Sequence, residues 1–175
     1  MRGDSYVHYL IHKEPVEGGV VVFYRRNTKD DVLDVSAEFV RKTRSGWKMG
    51  YGGGLSTGKG EDVRIDDSSM YLPSTEGTEF GDSPFPMQFG YVQHPQESRI
   101  VIRDKATGLS KQAKIVEISR DFKLFYVFLD KSQGQQFEIT TYNADGKMIR
   151  QESIDESLLS NASEGTETIQ GEKLR

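Results

Sequence analysis

An all-β fold, an antiparallel β-sandwich or meander, is predicted by three features of the chain. Runs such as Val20–Tyr24 and Leu124–Leu129 are rich in β-branched and aromatic residues, are too short for helices and suit buried strands. Polar turns carrying Gly, Pro, Asn or Asp separate such runs at the short, regular spacing of sandwiches and barrels. Asn143-Ala144-Asp145-Gly146 adds a hairpin signal, because Asp and Gly accept the positive φ that tight hairpin turns require.

The elements follow in order. Tyr6–Lys13 alternates, which places Val7, Tyr9 and Ile11 on one face and Tyr6, His8, Leu10 and His12 on the other. A turn around Pro15 and Gly18-Gly19 leads into Val20–Tyr24, and Asn27–Asp31 turns again. Val35, Ala37 and Phe39 alternate with Asp34, Ser36 and Glu38, the pattern of a half-exposed strand. Arg44-Ser45-Gly46 then turns the chain into Trp47–Tyr51, which completes a four-stranded meander over residues 1–54.

Residues 55–86 change composition to Gly, Ser, Thr and acid, and read as a loop or linker with short strand potential only at Val63–Ile65 and Met70–Leu72. Residues 87–154 resume the β pattern as a C-terminal antiparallel, sandwich-like domain. Val22 and Phe128 are expected in cores. The two halves are expected to pack together, as one unit or as two β subdomains. Residues 155–175 hold few large apolar side chains and read as a mostly disordered tail, with at most a short helix at Asp155–Asn161.

Composition narrows the function. A chain of 175 residues suits one domain or two small ones. Its net charge is −4, without a basic stripe interleaved with stacking aromatics, so nucleic acid is not an expected partner. The absence of cysteine excludes disulfides, thiolate catalysis and thiolate metal centres. No apolar run approaches the roughly 20 residues of a membrane span. Met1–Ser5 has no apolar region of the signal-peptide kind. Met1 is therefore read either as a native start or as the residue after a removed anchor, and membrane contact is expected only peripherally, through such an anchor.

No set of residues announces a reaction. Gly53–Gly60 matches the phosphate-loop pattern G-x-x-x-x-G-K, but Gly60 stands where Ser or Thr should hold magnesium, and the acids that follow repel phosphate. His8 and His12 lie about 13 Å apart at strand rise, too far to share a metal. Asp62, Asp66, Asp67, Glu76, Glu79 and Asp82 offer oxygens for weak calcium binding but lack EF-hand spacing. No Gly-x-Ser-x-Gly elbow occurs, and a glycosidase carboxylate pair cannot be recognised from spacing. No catalytic, cofactor or metal residue is assigned, and enzyme activity is not expected.

The candidate partner-binding residues are Arg25, Arg41, Lys42, Arg44, Trp47 and Tyr51. The cations, with Arg26, Lys29 and Lys48, fall on adjoining strand ends and turns. They serve either as guards of strand edges or as a patch for an anionic surface. Trp47 and Tyr51 precede Gly52-Gly53-Gly54, the pattern of a strand ending where backbones approach closely, with Trp47 as a core or rim anchor.

Phe89-Gly90-Tyr91-Val92, Ser98–Ile102, Ala113–Val116, Leu124–Phe128 and Ile139-Thr140-Thr141-Tyr142-Asn143-Ala144-Asp145-Gly146-Lys147-Met148-Ile149 together resemble a module of uncharacterised extracytoplasmic proteins of spore-forming Gram-positive bacteria. In that module a YG-x-V strand leads to an A-Y-D-x-x-G-K-x-I hairpin. Here Thr141 replaces the Ala and Asn143 the Asp. Gly19–Tyr24 and Gly46–Gly54 resemble the strands upstream of it. The resemblance implies a secreted or anchored location and supplies no activity. The expected function is a non-catalytic binding or structural domain at the cell envelope, meeting a protein or an anionic wall polymer. The alternative is a wall-directed hydrolase with an unrecognised carboxylate pair.

Overall fold

A computed structural model describes residues 7–26, 32–58, 68–92, 94–119 and 122–157. In chain order the strands are β1 (Val7–Val16), β2 (Gly19–Arg26), β3 (Val32–Thr43), β4 (Gly46–Gly58), β5 (Ser69–Leu72) and β6 (Met87–Tyr91). They continue with β7 (Arg99–Asp104), β8 (Ser110–Gln112), β9 (Lys114–Ser119), β10 (Phe122–Phe128), β11 (Gln136–Tyr142) and β12 (Met148–Asp155). These form three four-stranded sheets: sheet A, β1-β2-β3-β4; sheet B, β5-β6-β10-β9; and sheet C, β12-β11-β7-β8. Every strand pairing is antiparallel. The all-β class is as the sequence predicts.

Side chains alternate across a strand, so each sheet offers two faces. Val21, Phe23, Val35, Ala37 and Phe39 of sheet A meet Leu72, Met87, Phe89, Tyr91, Leu124 and Tyr126 of sheet B in a first core. The other face of sheet B carries Tyr71, Phe125 and Val127, which meet Ile100, Ile102, Phe137, Ile139 and Ile154 of sheet C in a second core. Sheet B is therefore the middle layer. This explains why Leu124–Val127 is apolar at every position: alternate residues enter different cores, as in any strand covered on both faces. The chain passes from sheet C to sheet B at Ala113, the single residue between β8 and β9, whose N–H donates to the Ile100 carbonyl at 2.9 Å.

Several sequence expectations change. β4 runs past the triple glycine to Gly58, so Gly53–Gly58 is extended strand rather than loop. β5 forms where strand potential was read at Met70–Leu72, and carries that part of the 55–86 segment into the middle sheet, paired with β6. Phe85 is buried, and Thr75 holds the 73–86 loop by donating to the Gly81 carbonyl at 2.6 Å. β1 shifts register between Leu10 and His12, which leaves Ile11 as an extra residue. Ile11 then packs on the first core and His12 lies 6.0 Å from the Phe23 ring, while Leu10 is exposed. Simple alternation cannot foresee such a bulge. Val22 faces outward on sheet A, opposite Glu38, because Val21 and Phe23 take the inward parity. Phe128 is half-buried at the margin of the first core. Lys29, Val63–Ile65, Lys59-Gly60 and the 158–175 tail lie outside the described residues.

Candidate functional site: the open end of sheet A

The β3–β4 hairpin builds this end of the sheet. Gly46 has φ 116, a left-handed conformation that favours glycine, and Thr43 Oγ1 donates to its carbonyl at 2.7 Å. Beyond the turn, Lys42 pairs with Trp47, Arg41 with Lys48, and Val40 with Met49. The register then shifts. Glu38 pairs with Gly52, so Phe39 stands opposite both Gly50 and Tyr51. This bulge turns Gly50 and Tyr51 inward together and returns Gly52 to the outer face.

The outer face at this end therefore carries Lys42 and Val40 on β3 beside Trp47 and Met49 on β4. Trp47 is 61% exposed and Met49 50%. Next to them lies a groove of about 360 Å³ that reaches both sides of β4: Tyr24, Ser36 and Glu38 line it from the outer face, Tyr51 and Phe80 from the inner side, with the backbone of Gly50–Gly54 between them. The groove exists because Gly52 and Gly54 have no side chains. A Cβ on Gly52 would collide with the Ala37 carbonyl, and one on Gly54 with the Ser36 hydroxyl. The Tyr24 hydroxyl donates to Glu38 Oε2 at 3.3 Å. A flat glycine floor, aromatic walls and a carboxylate suit a ring or a long side chain with a polar end.

The predicted binding residues divide between places. Lys42, Arg44 and Trp47 come together, exposed, at the hairpin end. Tyr51 points inward, with its ring 5.3 Å from Phe80 and 6.0 Å from Phe85, and burial pushes its hydroxyl up. Arg41 also lies on the inner side. Its Nη2 donates to the Phe80 carbonyl at 2.9 Å and to the Asp82 carbonyl, tying the 73–86 loop to sheet A. Arg25 is six residues along β2 from Gly19, the residue paired with Arg41, which is roughly 20 Å at strand rise. It does not join the patch. Met49, Glu38, Ser36 and Tyr24 were not singled out from the sequence. The glycine run was the available signal, since glycines in a strand often mark a close approach or a bulge.

A second polar cluster sits where β1 overlies β9 and β10. The Tyr126 hydroxyl donates to Glu14 Oε2 at 2.7 Å and Lys114 Nζ donates at 2.9 Å. His12 Nε2 lies 3.3 Å from the same oxygen and 3.1 Å from the Tyr126 hydroxyl. Burial raises the Glu14 carboxyl, but the contacts from Tyr126, Lys114 and His12 outweigh it and the net shift is downward. Burial and the Glu14 contact push Tyr126 up to about 12. A catalytic acid of the glycosidase kind needs the opposite shift. The cluster acts as a clamp between sheets A and B.

Among the described residues, no three His, Cys, Asp or Glu side chains are grouped to hold a metal ion. Asp62, Asp66 and Asp67 lie outside those residues, while Glu76 is held by Lys131 at 2.6 Å. Comparison with protein-family models, curated proteins and solved structures finds no match to this chain.

Proposed function

We propose that this chain is a non-catalytic interaction domain of a bacterial cell envelope, and that it meets its partner with the β3–β4 end of sheet A. The observation that carries the reading is the exposure of Trp47 and Met49 side by side with Lys42, next to a glycine-floored groove. Large apolar side chains grouped on a surface beside a concave, partly polar groove mark interaction sites more often than scattered single ones do. Trp is also the residue type most enriched among residues that dominate binding energy. The envelope location follows from the family resemblance of the strand and hairpin motifs. An extracytoplasmic partner of either kind, a protein or an anionic wall polymer, meets this surface through apolar contact at Trp47 and charge at Lys42 and Arg44.

The test is cosedimentation of the purified chain with Gram-positive wall material, with and without its anionic polymer, alongside sedimentation of the chain alone. Trp47→Ala should weaken whichever association the wild type shows. A wild type that is neither retained by wall material nor self-associated contradicts the reading.

A further inference from the structure

Resting on that interaction reading, we infer that the partner of this surface is a second copy of the chain, paired antiparallel through β4 about a two-fold axis between Gly50 and Tyr51. β4 is the outermost strand of sheet A and is 13 residues long. Over Trp47–Gly54, and among the described residues, its backbone ladder runs to β3. The other sheet edges are guarded in the usual ways, β9 by the charges of Lys114 and Glu117. β1 is bulged and carries Pro15, β5 has 4 residues and β8 has 3, and β12 presents Arg150, Glu152 and Asp155. β4 bears one charged residue, Lys48, and is rich in glycine.

The order Trp47-Lys48-Met49-Gly50-Tyr51-Gly52-Gly53-Gly54 is complementary to itself when reversed. In the two-fold pairing Trp47 faces Gly54 of the second copy, Lys48 faces Gly53, Met49 faces Gly52 and Gly50 faces Tyr51. Every side chain meets a glycine, so no two compete for one space. The faces agree as well. Facing residues on paired strands share a side, and a strict alternation would set Met49 and Gly52 on opposite sides. The bulge at Gly50 and Tyr51 corrects the parity, leaving Trp47, Met49, Gly52 and Gly54 all outward. Trp47 and Met49 of each copy then lie over the groove that Gly52 and Gly54 open in the other. A polysaccharide or phosphate polymer offers no amide ladder to match the strand edge, whereas a second β4 does. A closed two-fold pair also removes the exposed edge that would otherwise invite aggregation.

The test uses sedimentation velocity and spin-label distances on the full chain. The protein has no cysteine, so Ser45→Cys in the exposed hairpin turn gives one label per copy. We expect a dimer that dissociates on dilution, with a narrow label-to-label distance of roughly 35 Å from 11 residues at strand rise. Met49→Asp, which sets a carboxylate against Glu38 of the other copy, should weaken the dimer at least about tenfold while circular dichroism stays unchanged. A chain that stays monomeric at millimolar concentration, a dimer with a different or broad distance, or a folded Met49→Asp variant that dimerises as before overturns the inference. A monomer that is still retained on wall material in a Trp47-dependent way removes the second copy as partner and leaves the interaction reading standing. A monomer without such retention removes both.

Discussion

The Tyr126 hydroxyl on the middle sheet donates a 2.7 Å hydrogen bond to Glu14 on sheet A, joining residues 112 positions apart. Lys114 and His12 converge on the same carboxylate oxygen, so one ionised group holds β1 against β9 and β10. Tyr126→Phe should cost about 1.5–3 kcal/mol, the usual range for a hydrogen bond to a charged group. Urea unfolding at neutral pH measures it, and an unchanged midpoint would show that the clamp adds nothing.

The same contacts fix the pH dependence. Glu14 titrates below its ordinary value of 4.5 in the folded chain. Its contribution is complete above that value and is lost as pH falls through the lower folded one. Tyr126 is raised from 10.0 to about 12, so its contribution is complete below pH 10 and is lost as pH rises towards 12. Melting temperature followed across pH should fall on both sides, and Tyr126→Phe should reduce the alkaline fall and move the acid fall to higher pH. An acid profile identical in Glu14→Gln and wild type would refute the assignment.

Glu97 is 3% exposed and accepts a hydrogen bond from Thr141 Oγ1 at 3.0 Å, with Arg150 Nη2 at 3.3 Å. Arg150→Met strips this buried carboxylate of its cation and should cost about 3 kcal/mol. Glu97→Gln should cost less, because Arg150 keeps Glu152 at 3.8 Å. The two denaturation midpoints, compared at one pH, check the order. The reverse order would mean that Glu97 is not the dependent partner.

Leu124 and Phe125 are adjacent on β10 and enter different cores. Leu124→Ala and Phe125→Ala should each cost about 3–5 kcal/mol. Each should lower one common unfolding transition, since sheet B belongs to both cores. Calorimetry reads this directly, and two separable transitions would show that the cores unfold independently.

The fold class was legible because turn residues and short β-branched runs act locally. The layering was not, because the pairing of β6 with both β5 and β10 is decided by which faces of distant strands meet. The continuous run Val20–Tyr24 conceals its own parity, and the bulges at Ile11 and at Gly50-Tyr51 reset alternation without a sequence mark of their own. At the site, Lys42 beside Trp47 follows from a short hairpin turn and was within reach of the sequence. The separation of Arg25 depends on strand length and register. Lys114 and Tyr126 pair within sheet B, but Glu14 meets them only across layers, so no spacing in the chain announces the cluster.

Trp47 is the only tryptophan of the chain and lies within the proposed interaction surface, 61% exposed in the isolated copy. Its fluorescence therefore reports occupancy of that surface and nothing else. Emission and acrylamide quenching, followed from dilute to concentrated protein, test the central claim most directly. The expected result is a solvent-exposed, readily quenched indole at high dilution that shifts to the blue and becomes protected as the chains associate. An indole equally exposed and equally quenched at every concentration, with wall material present or absent, would contradict it.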